Sequence, residues 1–326
     1  MRPLLATITV ALALLATPLA HSDIDETRAT LRDRMVRLIN RDREAYGLPK
    51  VELDLQASMI GDAYCESQIR NHTTGHYTID GVAPYMRYSF AGGNDGVSEN
   101  AAAWSADYAF NERALFEMLG RSQDAMMAEV PPADGHKRTI LDPHATHVGI
   151  GLAWDKGEFR LVQEFVRRYI DWARPIPRNA HLGETVKLTG RAKPGARIEA
   201  ITVHYEATPE TMPAHVASAI DTYSLPDKRT EYLPRLRGAA RSAFSSASRR
   251  RDLPGTFVTS SDGSFSFEVP FAEGAGIYTV VVWVSSDDTR KAIASSNISI
   301  RVDAATAASA TRLSTTPGRA SSPVSH

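Results

Sequence analysis

The sequence predicts an α+β chain, with a mixed α and β region followed by an all-β region. Three observations carry this prediction. Apolar residues recur with helical spacing over 24–46, period-two alternation dominates after Trp172, and the proline-bearing stretch 174–179 separates the two patterns. With 326 residues, the chain is long enough for two ordinary domains.

The N-terminus has the features of a secretory signal peptide. A single positive charge at Arg2 precedes an apolar run from Leu4 to Ala16, and Ala20-His21-Ser22 offers a small-x-small cleavage site. We therefore expect residues 1–22 to be removed and the protein to be secreted or periplasmic. A permanent membrane anchor is the alternative, although the run is short for a span and ends at Pro18.

The amino-acid composition excludes several functional classes of protein. Lys and Arg number 37 against 38 Asp and Glu, and this balance argues against a nucleic-acid-binding protein. The single cysteine, Cys65, excludes an internal disulfide framework and a thiolate zinc cluster. We expect Cys65 to be a small buried residue, with a reactive thiol as the alternative. After the N-terminal run, no apolar stretch approaches the roughly 20 residues of a membrane span, so no transmembrane segment is expected after signal removal.

Helices are predicted first in chain order. The stretch 24–46 places Ile24, Leu31, Met35, Leu38 and Ile39 on one face. A second helix is predicted from Leu55 to Arg70 with Asp54 as its N-cap, and its inward positions are expected to be Leu55, Met59, Ala63 and Ile69.

The rest of the first half is predicted to alternate loop, helix and strand. Residues 71–98 are glycine-rich and polar and are expected to form a long functional loop. Helices are predicted over 99–104 and 112–127, followed by strands over 147–154 and 159–169 around a turn.

Residue types with metal-ligand or acid-base chemistry concentrate in this half: His72, His76, Glu99, Glu129, Asp134, His136, His144 and His147. Two neutral imidazoles with one or two carboxylates suit a divalent cation, zinc first, and can also exchange protons. A buried hydrogen-bond network without any ligand remains an alternative for the same groups. His-Glu-x-x-His, Gly-x-Ser-x-Gly and phosphate-loop motifs are absent from the sequence.

Order and spacing of four stretches resemble the CAP superfamily, which includes cysteine-rich secretory proteins, insect venom antigens and plant pathogenesis-related proteins. The stretches are Leu38-Ile-Asn-Arg-Asp-Arg-Glu-Ala-Tyr-Gly-Leu48, His76-Tyr-Thr-Ile-Asp-Gly81 with Pro84 and Arg87, Ser98-Glu-Asn-Ala-Ala102, and Gly135-His-Lys-Arg-Thr-Ile-Leu-Asp-Pro143 with Val148-Gly-Ile-Gly151. Ser98 stands where the family usually has glycine. The resemblance covers residues 30–172.

This resemblance implies an α-β-α sandwich with a cleft holding two histidines and two acids. Carried over position by position, the four groups are His76, Glu99, Glu129 and His136. Glu117 and Asp134 remain alternatives for the second acid. Metal binding there would require neutral imidazoles and would weaken below about pH 6.

Beyond a linker at 173–182, residues 183–302 are predicted to form an all-β sandwich that resembles immunoglobulin-like modules. Within it, residues 228–251 hold eight Lys or Arg against one acid, Glu231. This basic insert favours contact with an anionic envelope or extracellular polymer, or is simply a solvated loop. Residues 303–326 have the composition of a disordered tail.

Together these features predict an exported CAP-domain protein. Its cleft is expected to bind a divalent metal or small ligand, and its β-sandwich to contact surface partners. A metal-dependent hydrolase of peptide or cell-wall material and a non-catalytic secreted adhesin are the alternatives. The sequence shows no nucleophile that decides whether the protein is an enzyme.

Overall fold

The computed structural model describes residues 18–236, 255–286 and 289–304. In its first half, five helices surround a four-stranded sheet with the order β1-β3-β4-β2. The elements are α1 (Pro18–Ala45), β1 (Glu52–Leu53), α2 (Leu55–Asn71), α3 (Pro84–Phe90), β2 (Gly96–Ser105), α4 (Glu112–Met127), α5 (Gly135–Ile140), β3 (His147–Asp155) and β4 (Glu158–Arg167).

Helices cover both faces of this sheet. Leu31 and Met35 of α1 and Leu115 of α4 share one buried cluster with Val148 and Ile150 of β3. Successive residues of a strand point to opposite faces. The intervening positions of β3 therefore face α2, and the first half is an α-β-α sandwich, as predicted.

Glycines allow α2 to approach the sheet closely. A Cβ atom at Gly151 would lie 2.2 Å from the carbonyl carbon of Gly61. Asp54 caps α2 as predicted, accepting a hydrogen bond from the backbone N–H of Ala57 at 2.9 Å. The predicted inward face of α2 was wrong, because Leu55 and Met59 are exposed. Small and polar residues instead fill the narrow gap to β3.

Two further predictions are corrected. Residues 99–104 belong to strand β2 and not to a helix, since the segment pairs with β4 along its whole length. The predicted loop 71–98 contains helix α3, which begins with Pro84 at its first turn. The hairpin between β3 and β4 is confirmed, with Lys156 and Gly157 at positive φ in its two-residue turn.

The second half is a curled ten-stranded sheet, with the path β5-β7-β11-β10-β9-β8-β12-β14-β6 and β13 paired to β12. Its elements are β5 (Ile170–Trp172), β6 (Asn179–His181), β7 (Val186–Ala192), β8 (Ala196–Glu206), α6 (Ala214–Ser218), β9 (Arg229–Leu236), β10 (Thr256–Thr259), β11 (Ser264–Val269), β12 (Gly276–Ser286), β13 (Thr289–Ala294) and β14 (Ile298–Asp303). Both ends of the path contribute to one buried core. The β character is as predicted, and the immunoglobulin-like assignment stays a prediction.

The two halves contact each other directly. The Val97 N–H donates to Asn297 Oδ1 at 2.8 Å, and the Ser299 N–H donates to Ser89 Oγ at 2.8 Å. Strand β6 lies inside the predicted linker 173–182 and pairs in parallel with β14. The domain boundaries themselves stay predictions.

Several predicted segments lie outside the described residues: residues 1–17 of the signal peptide, residues 237–251 of the basic insert and residues 305–326 of the tail. Helix α1 begins at Pro18 and so includes the predicted cleavage site. No helix in the described ranges has the length and hydropathy required to cross a membrane.

Candidate functional site

His76 and Glu99 form the first of two histidine–glutamate pairs. Helix α2 ends at Asn71, and the left-handed backbone of the next residue, His72 (φ 51°), reverses the chain into the loop that carries His76. Strand β2 supplies Glu99, and His76 Nδ1 lies 2.9 Å from Glu99 Oε1. Both side chains are buried, at 8% and 0% exposure.

Arg87 of α3 joins this pair. Its guanidinium donates to the backbone carbonyl of His76 at 3.1 Å and to Glu99 Oε2. The same group lies 3.5 Å from the centre of the Tyr64 ring, a cation–π contact. Burial alone would lower the pKa of Arg87, but the adjacent Glu99 and Tyr64 raise it above its ordinary value. Arg87 therefore stays charged.

Glu164 of β4 is the direct cross-strand partner of Glu99. Its side chain is fully buried and lies 3.6 Å from Arg87 and within hydrogen-bonding reach of the Glu99 carboxyl. Burial raises the pKa of Glu164 well above its usual range, and the neighbouring Glu99 raises it further. Burial also raises the pKa of Glu99. Because one arginine balances one negative charge, we infer that the two carboxyls share a proton.

The His76 imidazole is neutral. Burial, and then the charge of Arg87, lower the pKa of His76 to about 4. A carboxylate can only accept, so Nδ1 carries the proton that is donated to Glu99. Within the described residues, Nε2 forms no hydrogen bond and keeps its lone pair.

Glu129 and His136 form the second pair. Glu129 follows α4, and His136 lies in the first turn of α5. Glu129 Oε2 accepts from the backbone N–H groups of His136 (2.9 Å) and Lys137 (3.3 Å), while Oε1 contacts His136 Nδ1. His136 is about one-third exposed, in contrast to His76.

Neither alternative for the second acid contacts His136. Glu117 is exposed and pairs with Arg121 at 3.0 Å. Asp134 pairs with Arg138 at 3.2 Å. Of the three acids considered, Glu129 is therefore the one beside the second histidine.

The two pairs contact opposite faces of strand β2. The Glu99 side chain points toward α2 and α3, where it meets His76. The next residue, Asn100, points the other way and donates from Nδ2 to the His136 carbonyl and to Gln163 Oε1, both at 3.1 Å. Because β2 is the edge strand of its sheet, both pairs lie along one border of the sandwich.

The two pairs are the groups that the sequence analysis expected to hold a divalent cation. Within the ranges that the structure describes, no three His, Cys, Asp or Glu side chains converge as ligands. Glu99 is already engaged by the positive charge of Arg87, which would repel a metal ion. The zinc site expected from the sequence therefore stays a prediction.

Two residues of the His76 environment were not predicted as site residues. Glu164 had a visible signal, since it is a lone acid in the apolar strand 159–169. Tyr223 had none. It comes from the connection between β8 and β9, and its ring packs edge-on against His76 with centroids 4.9 Å apart.

Residues 36–165 match the model of the cysteine-rich secretory protein family, CAP. This segment is a CAP domain. No curated protein matches the chain.

Three solved structures of bacterial proteins are similar in part. An extracellular SCP-domain protein of Bacillus anthracis is 17% identical over 43% of this chain, with a TM-score of 0.31. The chain covers 41% of that protein's length. An outer surface protein of Borrelia burgdorferi is 18% identical over 45% of this chain and 96% of its own, with a TM-score of 0.34. The CAP domain of enterococcal PrgA is 15% identical over 42% of this chain and 60% of its own, with a TM-score of 0.32.

Proposed function

We propose that this chain is an exported protein whose CAP domain binds a small polar ligand through the imidazole of His76 or of His136. The observation that supports this proposal is the shared construction of the two pairs. In each pair, a glutamate contacts Nδ1 of the ring. A carboxylate in that position fixes the orientation of the ring and directs Nε2 away from the glutamate.

Nε2 is the atom that would meet the ligand. Among the described residues, it forms no hydrogen bond in either ring. In the neutral imidazole of His76, this nitrogen is unprotonated and accepts a hydrogen bond from a hydroxyl or amide group of a ligand. A divalent cation, zinc first, is the alternative ligand and would require movement of the pairs, because no third ligand group among the described residues is in place.

Export and surface contact complete the proposal. The charged and apolar pattern of residues 1–22 supports export. We assign contact with an anionic envelope or extracellular polymer to the β half through the basic insert. Of its basic residues, Lys228, Arg229 and Arg235 lie in the described part of the chain.

Isothermal titration calorimetry with zinc tests the cation alternative. The full mature chain is compared with His76→Ala, His136→Ala and the control His144→Ala. His144 lies on the turn before β3 and contacts neither pair. Stoichiometric binding that both site variants lose and the control keeps would establish a cation site. Equal binding in all four proteins, or none, would end the cation alternative.

The small ligand is tested by the imidazole NMR signals of the same proteins against a library of simple alcohols, amides, phenols and carboxylates. We expect compounds that shift the signals of His76 or His136 and leave that of His144 in place. A library that moves neither signal would contradict the proposal. The hydrolase and adhesin alternatives stay predictions.

A further inference from the structure

The connection between β8 and β9 is far longer than its ends require. These strands are antiparallel neighbours, for which a tight turn of two to five residues is the usual connection. Here the chain leaves β8 at Glu206, crosses to the CAP domain and returns to begin β9 at Arg229. We call residues 207–227 the strap.

Two hydrogen bonds dock the strap onto the loop that carries His76. The Met212 N–H donates to the Ile79 carbonyl at 2.7 Å. The Thr74 N–H donates to Ser218 Oγ at 3.1 Å. Close approach depends on Gly81, where a Cβ would lie 2.9 Å from the carbonyl oxygen of Glu210 in the strap.

Tyr223 places the strap directly over the first pair. Its ring packs edge-on against the His76 imidazole, and its hydroxyl accepts a hydrogen bond from the backbone N–H of Glu99. Leu225 continues the contact by packing, together with Tyr223, against the buried cluster that includes Tyr85 and Met86. The burial of His76 therefore depends in part on a side chain of the second half.

We propose that the strap is a resident peptide ligand of the CAP domain, so that the His76 site recognises a peptide segment carrying a tyrosine and is open to an external ligand when the strap lifts. This inference rests on the proposed function and names the ligand class at the first pair. The Met212–Ile79 hydrogen bond holds the backbone of the peptide, and the Glu99 N–H and the His76 ring add selection for a phenol.

Access to His76 is the first measurement. Diethyl pyrocarbonate modifies unprotonated imidazole nitrogen, and peptide mapping by mass spectrometry reads each histidine separately. The full chain is compared with Tyr223→Ala and Tyr223→Phe. Tyr205→Ala is the matched control, because the Tyr205 hydroxyl also binds a backbone group, the carbonyl of Ala275, and does so within the second half.

Modification of His76 is expected to be about tenfold or more faster in Tyr223→Ala, since the rate follows the fraction of open molecules. Tyr223→Phe keeps the ring and should be intermediate, and Tyr205→Ala should match the unaltered chain. The exposed His72 gives the rate of a solvent-accessible imidazole in every protein. Equal His76 rates in the unaltered chain and Tyr223→Ala would overturn the gating role of the strap.

Peptide recognition is the second measurement. Residues 209–223 are replaced in the full chain by a glycine–serine linker of equal length, and a labelled synthetic peptide of residues 207–227 is added. We expect saturable binding to this variant, about tenfold or more weaker for the Tyr223→Ala peptide, and weaker binding to the unaltered chain because the strap competes.

The two failures are distinguishable. A linker variant with reactive His76 that shows no preference for the native peptide over the Tyr223→Ala peptide would reject peptide recognition. That result would leave the proposed function intact, because small-ligand binding at the imidazoles is tested separately by the NMR measurement with the compound library. Conversely, peptide binding that survives His76→Ala and His136→Ala in the linker variant would separate peptide recognition from the imidazoles and overturn the inference.

Discussion

Glu99 and Glu164 are direct partners across β2 and β4, and both of their side chains are completely enclosed. One guanidinium, that of Arg87, contacts both carboxyls. Two buried negative charges beside a single positive charge would be costly. A proton held by the carboxyl pair removes that cost and makes the stability of the CAP domain dependent on pH.

Glu164→Gln should remove this pH dependence. The folded pair retains a proton that the unfolded chain releases, because the pKa of Glu164 is raised above its ordinary value of 4.5. The stabilising effect is complete below that ordinary pKa and is lost as pH rises toward the folded-state pKa. Relative to Glu164→Gln, the unaltered chain should lose up to about 1.4 kcal/mol of unfolding free energy per pH unit in this window.

Urea unfolding between about pH 5 and 8 measures the difference. Glu117→Gln, at an exposed position, is the matched control and should follow the unaltered chain. If the unfolding free energies of Glu164→Gln and the unaltered chain change with pH in parallel, the two carboxyls do not share a proton.

His76 should remain neutral far into the acidic range. Burial and Arg87 lower its pKa to about 4, below the ordinary value of 6.5. The unfolded chain therefore takes up this proton first. The neutral His76 ring therefore contributes to the free energy of unfolding above pH 6.5, and this contribution is lost as pH falls from 6.5 toward 4.

Two-dimensional NMR of the imidazole signals measures the His76 midpoint directly. Tyr223→Ala relieves part of the burial, so the His76 pKa should move upward toward its ordinary value in that variant. A His76 midpoint near the ordinary value in the unaltered chain would show that the ring is solvated and would contradict the packed geometry.

Gly151→Ala should strongly destabilise the CAP domain. The added methyl group would lie 2.2 Å from backbone of Gly61, and backbone cannot swing aside as a flexible side chain can. The helix must lift from the sheet, which we expect to cost about 3 kcal/mol or more. Gly120→Ala is the matched control, because nothing lies within 4 Å of its added methyl group.

Because Gly120 lies inside helix α4, alanine there should stabilise the protein by roughly 0.5–1 kcal/mol. Thermal or urea unfolding measures the change in unfolding free energy of each variant. If α2 is packed as described, Gly151→Ala lowers this free energy and Gly120→Ala raises it. A neutral Gly151→Ala would show that the helix and sheet have room to spare.

Local patterns predicted the elements whose periodicity is unambiguous. Helix α4 has the predicted bounds, and the hairpin turn at Lys156–Gly157 is where its residues indicated. Residues 99–104 were misassigned because an alanine-rich stretch favours helix locally, whereas pairing with β4 decides its structure. Leu55 and Met59 were placed inward because hydrophobicity was read without the glycine contact that brings α2 close to β3.

The sequence predicted the four histidine and glutamate residues of the two pairs, but not the residues that surround them. Motif order placed His76 and Glu99, Glu129 and His136 in the first half, and the structure puts the members of each pair in contact. Nothing in the local sequence indicated that Tyr223, 124 positions from Glu99, would bond to its backbone. That contact depends on the long-range path of the strap, which no periodicity encodes.

Cys65 lies on α2 with no exposed surface, packed with Ala153 and Val162 of the sheet. Burial raises the pKa of its thiol well above the ordinary value, so the reactive thiolate is suppressed. The sulfur becomes reachable only when α2 separates from the strands beneath it. In an oxidising compartment, docking of this helix thus protects the chain from sulfhydryl oxidation and from covalent cross-linking to a second copy.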